Sequence, residues 1–226
     1  MRLPGRAVTG DHLRSWCEIR ERVAWREVRH RSGGPDGSVH GRRDGIVHRI
    51  ATVENARDPL RARRLLVAYE RVRADAAAGR TLDFGLLADW QRTVLGVPRA
   101  PFRSGVAFAK GGRERYGLDE DTPERFAACL ADSREDGVPV ASRAARAYLD
   151  VCFFHPFSDG NARAALLTLA FVLAEEEIVL DQVGPLVQLR RHADDLDGAR
   201  GTAELVGTLI DGTRRRRDGT SHAAGG

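Results

Sequence analysis

Apolar residues recur at helical spacing along most of the chain, and this pattern predicts a mainly helical protein. Residues 58–78 and 81–95 each carry apolar side chains three and four positions apart, and Asp58 followed by Pro59 is typical of a helix start. The same spacing predicts further helices over residues 11–28, from Thr122, over residues 140–154 and over residues 193–210. Residues 164–176 are almost entirely apolar, which predicts a helix buried on all sides.

Two stretches break the helical pattern. Residues 98–117 place short apolar pieces around a Lys110-Gly111-Gly112 turn, which predicts a β-hairpin. Residues 31–45 are rich in Gly, Pro, Asp and Ser and predict a flexible loop. The expected architecture is all-α apart from one short hairpin. It comprises an N-terminal helix and flexible loop (residues 1–45), one helical domain (46–210) and a disordered Arg-rich tail (211–226).

Composition and charge narrow the class of protein. Of the 226 residues, 42% are hydrophobic and 30% charged, which is ordinary for a globular protein. No apolar run approaches the roughly 20 residues that span a bilayer, and the start lacks the apolar centre of a signal peptide, so a cytoplasmic location without membrane contact is expected. The net charge of +4 is concentrated in Arg214–Arg217. Such a terminal run is usually solvated, so nucleic acid is not expected as a partner.

The densest chemistry lies in the sequence HPFSDGNARAAL, residues 155–166. Pro156 predicts extended backbone at His155 and a helix end near Phe154. Gly160 permits a tight turn, and the residues after it open the buried helix. The first N–H groups of a helix lack internal partners and favour anions, so a phosphate cradle is expected at this helix start.

The side chains of this loop suit the chemistry of phosphate transfer. Asn161 and Arg163 add donors for phosphate oxygens. Asp159 is a candidate ligand for Mg²⁺, which on nucleotides takes one or two carboxylates plus phosphate oxygens. His155, with an ordinary pKa near 6.5, is a candidate general base for an attacking hydroxyl. Each residue alone has a structural explanation, but together they predict a catalytic site.

This stretch resembles the signature of Fic (filamentation induced by cAMP) and death-on-curing proteins, HPFx[D/E]GNGRxxR. The matching residues are His155, Pro156, Phe157, Asp159, Gly160, Asn161 and Arg163. The resemblance implies a helical Fic-like fold over roughly residues 46–210. It also implies transfer of a nucleotide monophosphate, commonly AMP from ATP with Mg²⁺, to a Ser, Thr or Tyr hydroxyl of a target protein. In this toxin-like family an antitoxin could be a further partner.

By the same resemblance, His155 would be the general base and Asp159 the Mg²⁺ ligand. Phosphate contacts would come from Gly160, Asn161, Ala162 and Arg163, with Arg163 at the outer phosphates. Phe157 would pack into the core and hold the loop.

The resemblance also gives the hairpin a role. In the family a flap before the motif pairs with an extended target segment and brings its hydroxyl to the histidine. Residues 102–116 are the candidate flap. Its candidate contacts to target or nucleotide are Phe108, Lys110, Gly111, Gly112 and Arg113; a plain surface hairpin is the alternative.

The sequence departs from the family pattern at three positions. Ala162 replaces the second glycine of the signature, and Leu166 replaces its last arginine. In many relatives that arginine pairs with an inhibitory glutamate from a [S/T]xxxE[G/N] motif. Here Glu54 and the following asparagine fit that motif, but Ile50 replaces its hydroxyl residue. Glu54 is therefore a candidate inhibitory residue, with a surface or helix-capping role as the alternative.

Two further functions stay open. Death-on-curing toxins also lack the last arginine of the signature, and they act as kinases that move the γ-phosphate. They differ from this chain in carrying a lysine at the position of Ala162. The domain could also be a degenerate Fic fold that binds a nucleotide or a protein without catalysis. The intact His155, Asp159 and Arg163 favour an enzyme.

Overall fold

The computed structural model describes residues 10–28 and 37–221, and helices dominate it. The helices are α1 (His12–Arg22), α2 (Gly45–Arg49), α3 (Asn55–Arg57), α4 (Pro59–Ala77), α5 (Phe84–Leu95), α6 (Thr122–Ala131), α7 (Val140–Phe154), α8 (Asn161–Glu175), α9 (Gly184–Gln188) and α10 (Leu196–Ser221). A π-helical turn, Ile50–Glu54, joins α2 to α3, and a 3₁₀ turn, Asp132–Arg134, follows α6. The strands are β1 (Val39–His40), β2 (Ala107–Ala109), β3 (Glu114–Tyr116) and β4 (Ile178–Val179).

Aspartate side chains fix where several helices begin. Asp58 accepts a hydrogen bond from the Arg61 N–H at 3.0 Å and opens α4, as its place before Pro59 predicts. Asp83 accepts from the Leu86 N–H at 2.7 Å, so α5 begins at Phe84 rather than at Thr81. These caps satisfy N–H groups that have no partner inside the helix.

The helix α8 lies at the centre of the fold. It packs against α4, α5 and α7, and α10 packs on the other side of α7. Residues 164–173 of this helix are all buried, including the fully buried Leu167 and Phe171. The prediction of a central buried helix is confirmed, and its first turn, which begins at Asn161, is placed at the end of the HPFSDGN loop.

The hairpin prediction is also confirmed. Strands β2 and β3 are antiparallel, with Phe108 opposite Arg115. Lys110, Gly111 and Gly112 all have positive φ angles, of 50°, 69° and 83°, which is why two of the three turn residues are glycines. A second pairing, between β1 and β4 in parallel, was not predicted, because two-residue strands leave no alternating pattern to detect.

The C-terminal segment differs from the prediction. A disordered tail was expected from residue 211, but α10 continues to Ser221. Asp181 explains the difference, because it accepts hydrogen bonds from Thr213 Oγ1 at 3.0 Å and from Arg216 Nε and Nη2 at 2.5 and 2.6 Å. These contacts hold the added helical turns against the segment after β4.

At the N-terminus, α1 ends at Arg22 although a helix was expected to reach Val28. Residues 31–36 of the expected flexible loop lie outside the described residues, as do residues 1–9, 29–30 and 222–226. The later part of the loop contains β1 and the Asp44 cap of α2. Among the described residues, none of the helices has the length and apolar character needed to cross a membrane.

Candidate active site

The HPFSDGN loop is bounded by two residues in the left-handed region. His155 ends α7 with φ and ψ both 51°, and Gly160 precedes α8 with φ 77° and ψ 13°. The expected helix end at Phe154 is confirmed, but the extended backbone expected at His155 is wrong. The His155 N–H instead donates to the Val151 carbonyl at 3.2 Å and closes the last turn of α7, and the chain then leaves the helix through the left-handed conformation of this residue.

Asn161 holds the loop in shape. Its Oδ1 accepts from the Phe157 N–H at 3.0 Å, and its Nδ2 donates to the Phe157 carbonyl at 2.8 Å. Phe157 is itself buried and stacks on Phe84, with ring centroids 5.6 Å apart, so its predicted packing into the core is confirmed. The Asn161 side chain was expected at phosphate, but here it is engaged by the loop backbone.

The His155 ring is oriented by contacts on its edge and on its face. Nδ1 lies 3.2 Å from the Cys152 carbonyl oxygen, which can only accept, so Nδ1 carries a proton in this contact. The ring stacks on Tyr116 of β3 at a centroid distance of 4.6 Å and an interplanar angle of 9°. Burial lowers the pKa of His155, and the nearby charge of Arg103 acts in the same direction. The neutral ring then has Nε2 free as an acceptor, as a general base requires.

Asp159 and the start of α8 form the side of the site where a phosphate group and its metal ion would bind, which is called the anion side below. The Asp159 carboxylate is exposed; Oδ1 accepts from the Gly160 N–H at 2.6 Å, and Oδ2 lies 3.5 Å from Arg163 Nη2. Gln91 of α5 donates to the Asp159 carbonyl at 2.6 Å and fixes the turn from below. Ala162 lies exposed on the first turn of α8.

A single carboxylate can serve as a metal ligand only with help from the substrate. Among the residues that the structure describes, no group of three or more His, Cys, Asp or Glu side chains could hold a metal ion. Asp159 nevertheless suits Mg²⁺ that arrives with phosphate oxygens, because Mg²⁺ needs few protein ligands when a nucleotide supplies the others. The donor set at this loop therefore fits Mg²⁺ bound to a substrate.

A cleft of about 680 Å³ opens over this loop and unites most of the predicted site. It contains His155, Asp159, Gly160, Asn161, Ala162 and Arg163, as well as Glu54, Phe108 and Leu166. Five arginines line it: Arg49, Arg57, Arg61, Arg163 and Arg191. The cleft therefore has a basic lining and lies beside the start of a helix. Both features favour binding of a phosphate chain.

Glu54 lies in the wall of this cleft at the end of the π-helical turn. Its Oε1 is 3.4 Å from Arg49 Nη2, and both side chains are largely buried. Leu166, at the position where the signature has its last arginine, lines the same cleft. Glu54 and Leu166 thus line one cleft, and the ion-pair partner of Glu54 is Arg49.

A second, smaller groove separates the flap from the loop. It has a volume of about 420 Å³ and is lined by residues 101–108, His155 and Ser158. Phe108, which is 59% exposed, borders both the groove and the cleft. The groove therefore leads along β2 to the histidine.

The other predicted flap residues do not line either cavity. Lys110 donates to Glu114 at 2.6 Å and to the Arg191 carbonyl at 3.1 Å, so it anchors the hairpin. Gly111, Gly112 and Arg113 form the exposed tip of the turn. Of the candidate flap contacts, the structure brings only Phe108 to the site.

Several residues of the site were missed by sequence reasoning. Gln91 left a usable signal, because it is a polar residue on the apolar face of α5 between Trp90 and Val94. Tyr116, whose hydroxyl donates to Glu114 at 2.7 Å, left none, because the pattern of a three-residue strand does not show what its inner face touches. The arginines that line the larger cleft also left no signal, because the sequence contains many other arginines and nothing in the pattern separates the two groups.

Comparisons with known proteins bear on this site. A model of the Fic/DOC family matches residues 83–173. No curated protein matches the chain by sequence. The matched segment contains α5, the flap, α6, α7, the loop and most of α8, so it includes the whole anion side of the cleft.

Several solved structures share the fold. One is a Fic domain containing signaling protein from Bacteroides thetaiotaomicron (17% identity, TM-score 0.51, covering 71% of this chain and 72% of that one). Another is a variant of IbpA Fic2 in complex with adenylylated Cdc42 (15% identity, TM-score 0.54, covering 93% and 66%). A third is Fic-1 from C. elegans (14% identity, TM-score 0.55, covering 94% and 72%). This chain thus spans about two thirds of the IbpA chain. The predicted resemblance and the mainly helical fold are confirmed.

Proposed function

Because residues 83–173 of this chain match a model of the Fic/DOC family, we propose that the protein is a Fic-type transferase that moves AMP from ATP to a hydroxyl of a target protein. The observation that carries the proposal is the meeting of an oriented histidine, an exposed carboxylate and a free helix start in one arginine-lined cleft. Enzymes of phosphoryl-type transfer work by positioning and charge stabilisation, and this cleft supplies both.

In this proposal His155 is the general base. Its Nε2 takes the proton of the target hydroxyl, and the hydroxyl oxygen forms a bond to the α-phosphorus of ATP. The bond from that phosphorus to the bridging oxygen breaks, and pyrophosphate leaves. Burial favours the neutral ring that can accept the proton, and the stacked Tyr116 with the Cys152 carbonyl fixes its orientation.

The remaining residues of the loop hold the donor. The N–H groups at the start of α8 and the Arg163 guanidinium bind phosphate oxygens. Asp159 would hold Mg²⁺, which would neutralise phosphate charge when bound with the nucleotide. Asn161 acts through the backbone of Phe157 and keeps these groups in register.

The acceptor is proposed to be an extended segment of a protein that lies in the groove beside β2. A segment paired with β2 would run past Phe108 toward His155, and main-chain hydrogen bonds would hold it with little demand on its sequence. The similar IbpA Fic2 structure contains adenylylated Cdc42, which supports a protein as acceptor.

Glu54 is proposed as a weakened inhibitory residue. Its carboxylate is in the cleft wall, where it would repel a phosphate chain, but the pairing with Arg49 offsets its charge. A Glu54→Gln variant should therefore transfer label faster than the unaltered protein, by a modest factor. An unchanged rate would leave Glu54 with the surface role.

A kinase of the death-on-curing type is the second candidate, and the observation that favours it is Leu166 in place of the last arginine of the signature. ATP labelled at the α-phosphate or at the γ-phosphate, incubated with Mg²⁺, the protein and a cell lysate, separates the two. Label from the α position supports AMP transfer, and label from the γ position supports the kinase. Transfer from neither would refute both and favour a binding module.

His155→Ala tests the proposed base in the same assay. We expect transfer to be lost, while His40→Ala, which alters an exposed histidine outside both cavities, should behave like the unaltered protein. Transfer that survives in the His155→Ala protein would refute the assignment of the base.

A further inference from the structure

The loss of the last signature arginine leaves an apolar surface in the cleft. Leu166 lies three residues after Arg163 on α8, so the two side chains share a face of the helix. Leu166 is buried and lines the cleft. A leucine offers no donor to a phosphate oxygen, and a charged group beside it would lack a partner from α8.

A different element brings positive charge into the same cleft. Arg61 lies on the first turn of α4, four residues before the buried Leu65, and both line the cleft. Residues four apart lie on one face of a helix. The face of α4 that enters the core at Leu65 therefore presents Arg61 to the cleft one turn earlier.

The guanidinium of Arg61 is available for a ligand. Among the described residues, its side chain has no hydrogen-bond or ion-pair partner. Three of the other cleft arginines have partners: Arg49 pairs with Glu54, Arg163 lies beside Asp159, and Arg191 bonds the Tyr148 hydroxyl. The fourth, Arg57, has no side-chain partner among the described residues, but it lies on the short helix α3 and not on the face of α4 that carries Leu65.

The charge of Arg61 reaches the phosphate side of the cleft. Arg61 lines the same cleft as Arg163, and the carboxylates that line it with them are those of Asp159, Glu54 and Asp58. Two like charges near each other in a cleft are unfavourable without an anion between them. Five arginines against three carboxylates leave the cleft lining with an excess of two positive charges. That excess suits a phosphate chain rather than a single phosphate.

We propose that Arg61 binds the β- and γ-phosphates of the donor nucleoside triphosphate, so that α4 supplies the charge that Leu166 removes from α8. Arg61 would then select triphosphate donors over diphosphates and monophosphates, and it would hold the leaving pyrophosphate. The assignment rests on the proposed function, because it takes a nucleoside triphosphate as the occupant of the cleft.

Binding titrations of the 226-residue chain test this role directly. The His155→Ala protein is used throughout to prevent turnover, with Mg²⁺ and ATP, ADP or AMP as probes in a calorimeter. Adding Arg61→Gln should weaken ATP about tenfold to hundredfold, the range expected for a lost charge-assisted hydrogen bond, and should change AMP affinity less than twofold. Arg63→Gln is the matched control, because Arg63 is exposed on the same helix and does not line the cleft. It should leave all three affinities unchanged.

A rescue variant sharpens the result. Leu166→Arg in the Arg61→Gln protein returns an arginine to α8 and should recover part of the lost ATP affinity. Equal ATP affinity in the Arg61→Gln and Arg63→Gln proteins would overturn the assignment. So would an equal loss for ATP, ADP and AMP, which would place Arg61 at the nucleoside end. If the His155→Ala protein without further change bound none of the three, the proposed function itself would fall.

Discussion

The Asn161 side chain offers a sharp test of how the loop is built. In the Asn161→Ala protein the Phe157 N–H and carbonyl both lose their partner. Both residues are buried, at 4% and 1% exposure, so water cannot easily replace the amide. Each lost bond contributes about 0.5–1.5 kcal/mol, and a buried group left unpaired costs about 1–3 kcal/mol. The two ranges partly describe the same loss and are not simply added, so we expect the free energy of unfolding to fall by about 2–4 kcal/mol.

Urea denaturation followed by tryptophan fluorescence measures this loss, provided that the slope of the free energy with urea is unchanged. Ser158→Ala is the control, because Ser158 is exposed on the same loop and should unfold within about 0.5 kcal/mol of the unaltered protein. If Asn161→Ala also unfolded within that margin, the side chain would not hold the loop, and a direct contact with phosphate would be its remaining role.

Asn161→Asp adds a test with a defined pH dependence. The carboxylate keeps an acceptor for the Phe157 N–H but faces the Phe157 carbonyl oxygen, where only a protonated carboxyl can donate. The pKa of the new aspartate should therefore be raised in the folded state above its unfolded value of about 3.9. Relative to the unaltered protein, the Asn161→Asp protein should be most stable at pH values below that unfolded pKa. Its stability should decline as the pH rises through the folded pKa. A stability difference that stayed constant from about pH 3.5 to 7 would contradict the donor role of Nδ2.

Three further predictions concern the base, the turn and the core. Burial lowers the pKa of His155, and only the neutral ring accepts a proton, so kcat/KM should fall on the acid side with a midpoint below 6.5; a midpoint above 7 would contradict the burial effect. Gly160→Ala places a methyl group 2.6 Å from the Gln91 side-chain nitrogen at a residue whose φ is +77°. Thermal melting should show that it lowers the free energy of unfolding by about 1–3 kcal/mol. Gly184→Ala, which has open space around it, should show no such loss. Arg20 is largely buried, and its Nε lies 2.8 Å from the Asp150 carboxylate in the unaltered protein. Asp150→Ala removes this main partner and should lower the free energy of unfolding by about 3–5 kcal/mol in urea denaturation. A loss under 1 kcal/mol would show that the pair contributes little.

The sequence by itself determined the local elements and the presence of the loop chemistry. Asp58 with Pro59, the Lys110-Gly111-Gly112 turn and the apolar run that became α8 each act over a few neighbouring residues, so their patterns are legible in the chain. The HPFSDGN loop is legible for the same reason. Its base, carboxylate and helix start are consecutive, and no other part of the molecule is needed to bring them together.

Only the tertiary structure decided which distant groups complete the site. Tyr116 and Gln91 contact the loop from the flap and from α5, and Arg61 lines the cleft over it from α4. None of the three is near the loop in the sequence. Tertiary contacts through Asp181 also extended α10 beyond residue 210. Such contacts depend on how whole helices pack, and a pattern confined to neighbouring residues carries no record of that packing.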